Sequence, residues 1–168
     1  MKPLLIVCLC LSSWTLVACK PNHINAQHIH FSHNQATDIK VDLGVLQNLA
    51  QRQNQESSVF QQEAALPTIR SGHAAQIEQI IQSMQQRVTK FNQELQDLLL
   101  SSAEVDTIRQ KMMQNNQLSL ELAQQGAAQR PDTVKILQLQ KKLEQNQQEI
   151  IQLTHLAQAK ISKITHTS

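Results

Sequence analysis

The sequence predicts an all-α protein: an elongated antiparallel bundle of three or four helices, or a coiled-coil hairpin, preceded by a disordered N-terminal tether. Three observations carry this. Glycine and proline are scarce, with three and four residues in 168, and a sheet protein with many turns normally needs both. Gln makes up about one residue in six, and with Leu, Ala, Glu and Lys it supplies good helix formers throughout. Above all, Ile77, Ile81, Met84, Val88, Phe91, Leu95 and Leu98 recur at alternating spacings of four and three, the a/d seam of three heptads.

The chain opens on a different kind of segment. Lys2 precedes the apolar run Leu4-Leu5-Ile6-Val7-Cys8-Leu9-Cys10-Leu11, which Ser12, Ser13 and Thr15 soon dilute. That run is short for a transmembrane helix, which needs about 20 apolar residues, and has the order of a secretory signal. It ends in Leu16-Val17-Ala18-Cys19, which resembles the lipobox of bacterial lipoproteins. The resemblance implies cleavage after residue 18, a diacylglyceryl thioether on the Cys19 sulfur and an acyl group on its new amino terminus. Several acyl chains make membrane attachment effectively stable, each buried methylene contributing about 0.8 kcal/mol. Lys20 stands where an Asp would imply retention in the inner membrane, so the expected address is the outer membrane, facing the periplasm. With Cys8 and Cys10 in the signal and Cys19 blocked, the mature chain is expected to hold no disulfide and no thiol chemistry.

Residues 19–37 are polar, lack periodicity and begin Cys19-Lys20-Pro21, as befits a tether between lipid and domain; the domain is assigned to 38–168. A first helical region is expected over about 38–65, with Ile39, Leu43, Leu46 and Ala50 on one face, as one frayed helix or two short ones. Pro67 to Gly72 is the expected break. The heptad region follows over about 72–100. Ser101 with Glu104 resembles a capping box that starts a third helix over about 103–125, and Arg109 on the continued seam argues for a reorientation there. The rival is one unbroken helix over 72–125, folded against the last as a hairpin. Gly126 suits a C-terminal cap and Pro131-Asp132 the next start. The last helix carries Ile136, Leu139, Leu143, Asn146, Ile150, Leu153, Ala157, Ile161 and Ile164, with Asn146 either buried as a register device or solvated.

Composition excludes more functions than it suggests. Loss of Lys2 with the signal takes Lys+Arg from 15 to 14 against 13 Asp+Glu, unclustered, so no basic face for nucleic acid is expected. Tyr is absent and the one Trp, Trp14, is in the signal; Phe31, Phe60 and Phe91 are the remaining aromatics. No phosphate-cradling Gly loop, His-Glu-x-x-His helix or nucleophile elbow occurs. Glu94 and Asp97, three apart, lack a convergent partner and read as a solvated helix face; His73, His155 and His166 are scattered; Met112-Met113 reads as core packing. An enzyme is not expected.

The expected role is therefore a structural or adaptor protein for an envelope complex. It would be held to the membrane by its lipid and would dock a protein through the seam of Ile77, Ile81, Met84, Val88, Phe91, Leu95 and Leu98. Pilotins and pilus accessory proteins offer an architectural analogy only. Two alternatives stand beside it: a spacer that self-associates through the seam, and Zn or Cu binding by His23, His28, His30 and His33 of the tether. No other cofactor is expected. Calorimetry tests the metal reading: Zn or Cu should bind more tightly than the millimolar range and lose that affinity when all four His are changed to Ala, and equal binding by the changed protein refutes it.

Overall fold

In a computed structural model the chain is described at residues 30–71 and 74–165, with side chains described except at 58–71, 74–76, 164 and 165. Four helices follow one another: α1 (Ala36–Ser71), α2 (Ala74–Gln96), α3 (Ala103–Ala127) and α4 (Thr133–Thr165). The all-α expectation holds. Among the described residues the one extended pairing is an isolated parallel bridge between Ser32 and Ser102, and no helix is long and apolar enough to cross a membrane.

Cross-links between side chains give the direction of each pair. Arg52 meets Glu94 at 2.6 Å and Arg87 donates to the Glu56 carbonyl at 3.3 Å, so α1 and α2 run antiparallel. Asn116 to Asn92 at 2.7 Å and Arg109 to the Leu98 carbonyl at 3.2 Å do the same for α2 and α3. Lys160–Glu104, Lys111–Glu149 and Lys135–Glu121 step in opposite directions along α3 and α4. α1 and α3 each touch the other three helices, while α2 and α4 occupy opposite corners. The core gathers Ile39, Leu43, Leu46 and Leu49 of α1, Phe91 and Leu95 of α2, Leu100, Val105 and Ile108 around the start of α3, and Ala157 of α4.

Several expectations are corrected. α1 is a single helix that passes Pro67 and reaches Ser71; Pro67 lacks an N–H, so the helix continues with one bond missing instead of stopping. Gly72 and His73 lie outside the described residues. α3 does not end at Gly126 but runs to Ala127, with Ala128 as C-cap at φ −64° and ψ 145°. That cap is extended, so no left-handed glycine is required. Asp132 accepts from the Lys135 amide at 3.0 Å and starts α4 as expected. Asn146 is buried, 4% exposed, and donates to the Lys111 carbonyl at 2.9 Å and toward Asn115 Oδ1 at 3.5 Å.

The junction after α2 is a real break, which rules out the unbroken helix over 72–125. Its two ends are capped by opposite charges. Arg109 Nη1 donates to the carbonyls of Gln96 and Leu98, which the end of α2 leaves unpaired, and the same guanidinium pairs with Asp106. Asp42 of α1, only 4% exposed, accepts from the amides of Ser101 and Ser102 through Oδ2, both at 2.7 Å. The N-cap is Ser102 and not Ser101, since the Ser102 hydroxyl accepts from the Val105 amide at 3.3 Å. Hydrogen bonds to a buried carboxylate contribute about 1.5–3 kcal/mol each. Asp42→Ala should therefore lower the unfolding free energy by about 3–5 kcal/mol in denaturant titration, and Asp42→Asn, which keeps an acceptor without the charge, by about half as much; a loss below about 1 kcal/mol for Asp42→Ala refutes the cap.

Candidate functional site

The described chain enters the bundle at the end that holds this junction. The entering segment is fastened. The Ser32 amide donates to the Ser101 carbonyl at 2.7 Å, the Ala103 amide donates to the Ser32 carbonyl at 3.0 Å, and the Ser32 hydroxyl adds a bond to Ser101 at 3.2 Å. Phe31 packs, half-buried, against the core. Asn34 takes a left-handed turn, φ 58°, which its short amide side chain tolerates. The tether expected over 19–37 thus gives way to docked chain by Phe31, seven residues early, because main-chain bonds to the α2–α3 junction replace the water a free tether would keep.

Glu104 is the hub of this end. Its Oε1 accepts from the Asn34 amide at 2.9 Å and from Lys160 of α4 at 2.8 Å, and its Oε2 from the Ser102 hydroxyl at 3.0 Å. One carboxylate thereby ties the entering segment, the start of α3 and the end of α4. Partial burial pushes its pKa upward, but the bonds from Lys160, Asn34, its own amide and Ser102 outweigh that and hold it at about 2, against an ordinary 4.5. Beside it a shallow cleft of about 320 Å³ is lined by His33, Thr107, Leu153, Leu156 and Lys160.

A second cleft, of about 390 Å³, opens at the waist of the bundle. Val88, Phe91, Met112 and Ile150 give it an apolar floor, and Gln53, Asn54, Asn115 and Asn116 an uncharged amide rim. Its polar groups can donate and accept hydrogen bonds but carry no charge with which to hold an ion.

The residues singled out from sequence are divided by the fold. Along the seam, Phe91 and Leu95 are buried in the bundle's own core, Leu98 packs against it, Ile81, Met84 and Val88 are half-buried, and Ile77 is 38% exposed. The seam is therefore largely spent on intramolecular packing at its C-terminal end. His30 and His33 are exposed, whereas Cys19, His23 and His28 lie outside the described residues, and among the described residues no group of three or more His, Cys, Asp or Glu is placed to hold a metal. Glu94 bridges Arg52 and Lys90, and Asp97 accepts from Gln93, the partners of a solvated helix face. His155 is exposed.

Asp42 and Ser32 escaped the sequence reading. Asp42 left one signal, an acid on the same α1 face as Ile39, Leu43 and Leu46; Ser32 left none.

A family model described as "Uncharacterised lipoprotein PM1805" matches residues 40–162. No curated protein and no solved structure matches the chain.

The depressed pKa of Glu104 makes a pH prediction. A carboxyl whose pKa falls on folding stabilises the fold above its unfolded value and loses that contribution as pH drops through the folded value. Wild-type protein should keep this term, about 1–2 kcal/mol once solvent screening of the partly exposed Lys160 pair is allowed for, above pH 4.5 and lose it progressively toward pH 2. Glu104→Gln should lower stability at pH 7 and flatten the unfolding free energy between these limits; an unchanged slope refutes the assignment.

Proposed function

The chain belongs to this lipoprotein family, and from that premise we propose that it is a non-catalytic adaptor that docks a protein of the bacterial envelope while its own lipid holds it at the membrane. In this reading Cys19 bears the lipid, and Lys20 beside it directs the protein to the outer membrane, with the helical body in the periplasm.

One observation carries the docking role: α4 leaves large apolar side chains outside the bundle as well as inside it. Leu139 and Ala157 are buried, and so is Asn146 between them, yet Val134, Leu137 and Ile151 of the same helix are 66%, 61% and 56% exposed. A helix that served only the bundle would need one apolar stripe and a polar outer face. The outer residues remain free after the core is complete, whereas Phe91 and Leu95 of the heptad seam do not. Docking through the outer face of α4 leaves the bundle intact, and docking through the buried seam would require opening it.

In-cell crosslinking of the full lipidated protein, followed by mass spectrometry, tests the reading. Wild type should capture a defined envelope protein, and Leu137→Asp with Ile151→Asp, both at exposed positions where stability changes stay within about 0.5 kcal/mol each, should reduce that capture at least fivefold. Capture of other copies of the chain alone, or of the same protein undiminished in the double variant, overturns it.

A further inference from the structure

We infer that the α2–α3 turn seats on the phospholipid surface through Leu99, so that the bundle stands on the bilayer by the end its anchor enters. The inference rests on the proposed lipid at Cys19. His30 is eleven residue steps from Cys19, and at about 3.4 Å per step they reach no further than ~37 Å. From there the chain is stitched to the α2–α3 junction by the Ser32 bonds to Ser101 and Ala103. The junction is therefore the part of the body tied nearest to the membrane.

Leu99 stands out at that place. Leu100 is buried and Leu98 packs against the core, while Leu99 between them is 94% exposed, the most exposed large apolar side chain among the described residues. Its backbone is fixed: Arg109 holds the Leu98 carbonyl and Asp42 holds the amides of Ser101 and Ser102. A side chain on so firmly held a turn surrenders little freedom when it meets a surface, which favours binding. Val41 of α1, next to Asp42, and Leu156 of α4, in the cleft beside Glu104, add exposed apolar surface at the same end. Charge at this end is mixed, with Asp97 exposed two residues from Leu99 and Lys40 and Lys163 exposed nearby, so the exposed apolar side chain, not a basic patch, is what singles the turn out. The partner is the apolar boundary of the bilayer, and a neutral bilayer should serve.

The mature chain is expected to hold no Trp, since the one Trp is Trp14, and this permits a clean test. Leu99→Trp and Leu137→Trp, both at exposed positions, are each made in the full lipidated protein and reconstituted into phosphatidylcholine vesicles with or without bromine on the acyl chains. Leu137 lies about 30 Å along α4 from Ala157, at 1.5 Å per residue, toward the opposite end. Both variants should float with the vesicles. Trp at 99 should be blue-shifted and quenched at least threefold by the brominated lipid, and Trp at 137 should not. Flotation with equal quenching at the two positions, or with none at 99, overturns the seating and leaves the anchor standing, the latter pointing to a protein on this surface. Failure of both variants to float overturns the anchor and the seating together.

Discussion

The architecture depends on how the turn between α2 and α3 disposes of its helix ends. A helix terminus leaves backbone groups without partners, and a buried terminus must find them elsewhere. Here the carbonyls at the end of α2 receive the Arg109 guanidinium, and the amides at the start of α3 receive the Asp42 carboxylate. Each charge has the sign that the helix end prefers. Asp42 belongs to α1, so capping α3 requires α1 to dock. A hairpin built from α2, α3 and α4 alone would leave the amides of Ser101 and Ser102 without that acceptor. The cap thus turns a local break into a tertiary constraint, and the four-helix arrangement follows from it.

Farther along the bundle the interior changes character. Around the capped end, Ile39, Leu43, Leu95, Val105 and Ile108 form an apolar core. At the waist, Asn92 pairs with Asn116, and Asn146 reaches the Lys111 carbonyl and Asn115. Amides between helices contribute little net stability, but they penalise a slip that would set them against aliphatic neighbours. Register is accordingly fixed in two ways, by charge at one end and by amides in the middle. The exposed ion pairs along α3 and α4, such as Lys135–Glu121, add little beyond orientation.

Periodicity made most of this legible. The 4-3 spacing from Ile77 to Leu98 located α2, and Pro131-Asp132 located the start of α4, because both signals are local and backbone-driven. Arg109 on the continued seam pointed to the break, since a guanidinium on an apolar seam needs acceptors that a continuous helix would not offer. Two features were not legible for a shared reason. The docking of Ser32 and the cap by Asp42 are settled by partners 59 to 71 residues away, and no window along the chain contains them. The seam itself illustrates the limit. Its spacing established an apolar stripe, but whether Phe91 and Leu95 meet another helix of the same chain or another molecule is decided by the volume the bundle encloses.

The same caps determine what the surface offers. Six residues, 97–102, must cross from the end of α2 to the start of α3 while Leu98 packs against the core and Leu100 is buried, and this leaves the intervening Leu99 outside. A polar residue would satisfy the turn equally well, so nothing in the folding of the junction calls for leucine there. On α4 the situation is similar: Val134, Leu137 and Ile151 add nothing to the core that Leu139 and Ala157 already serve. Among the described residues, apolar side chains that the fold does not use include two separated sets, one beside the entry of the chain and one along the outer helix. Scattered exposed leucines are ordinary on soluble proteins, but these two sets differ in setting: a turn rigidly held beside the entering chain, and a helix that extends away from it. That separation suits the proposed roles, in which the body would meet the bilayer at one end and present a protein-binding face along its side, with the Asp42 and Arg109 caps holding the two in fixed relation.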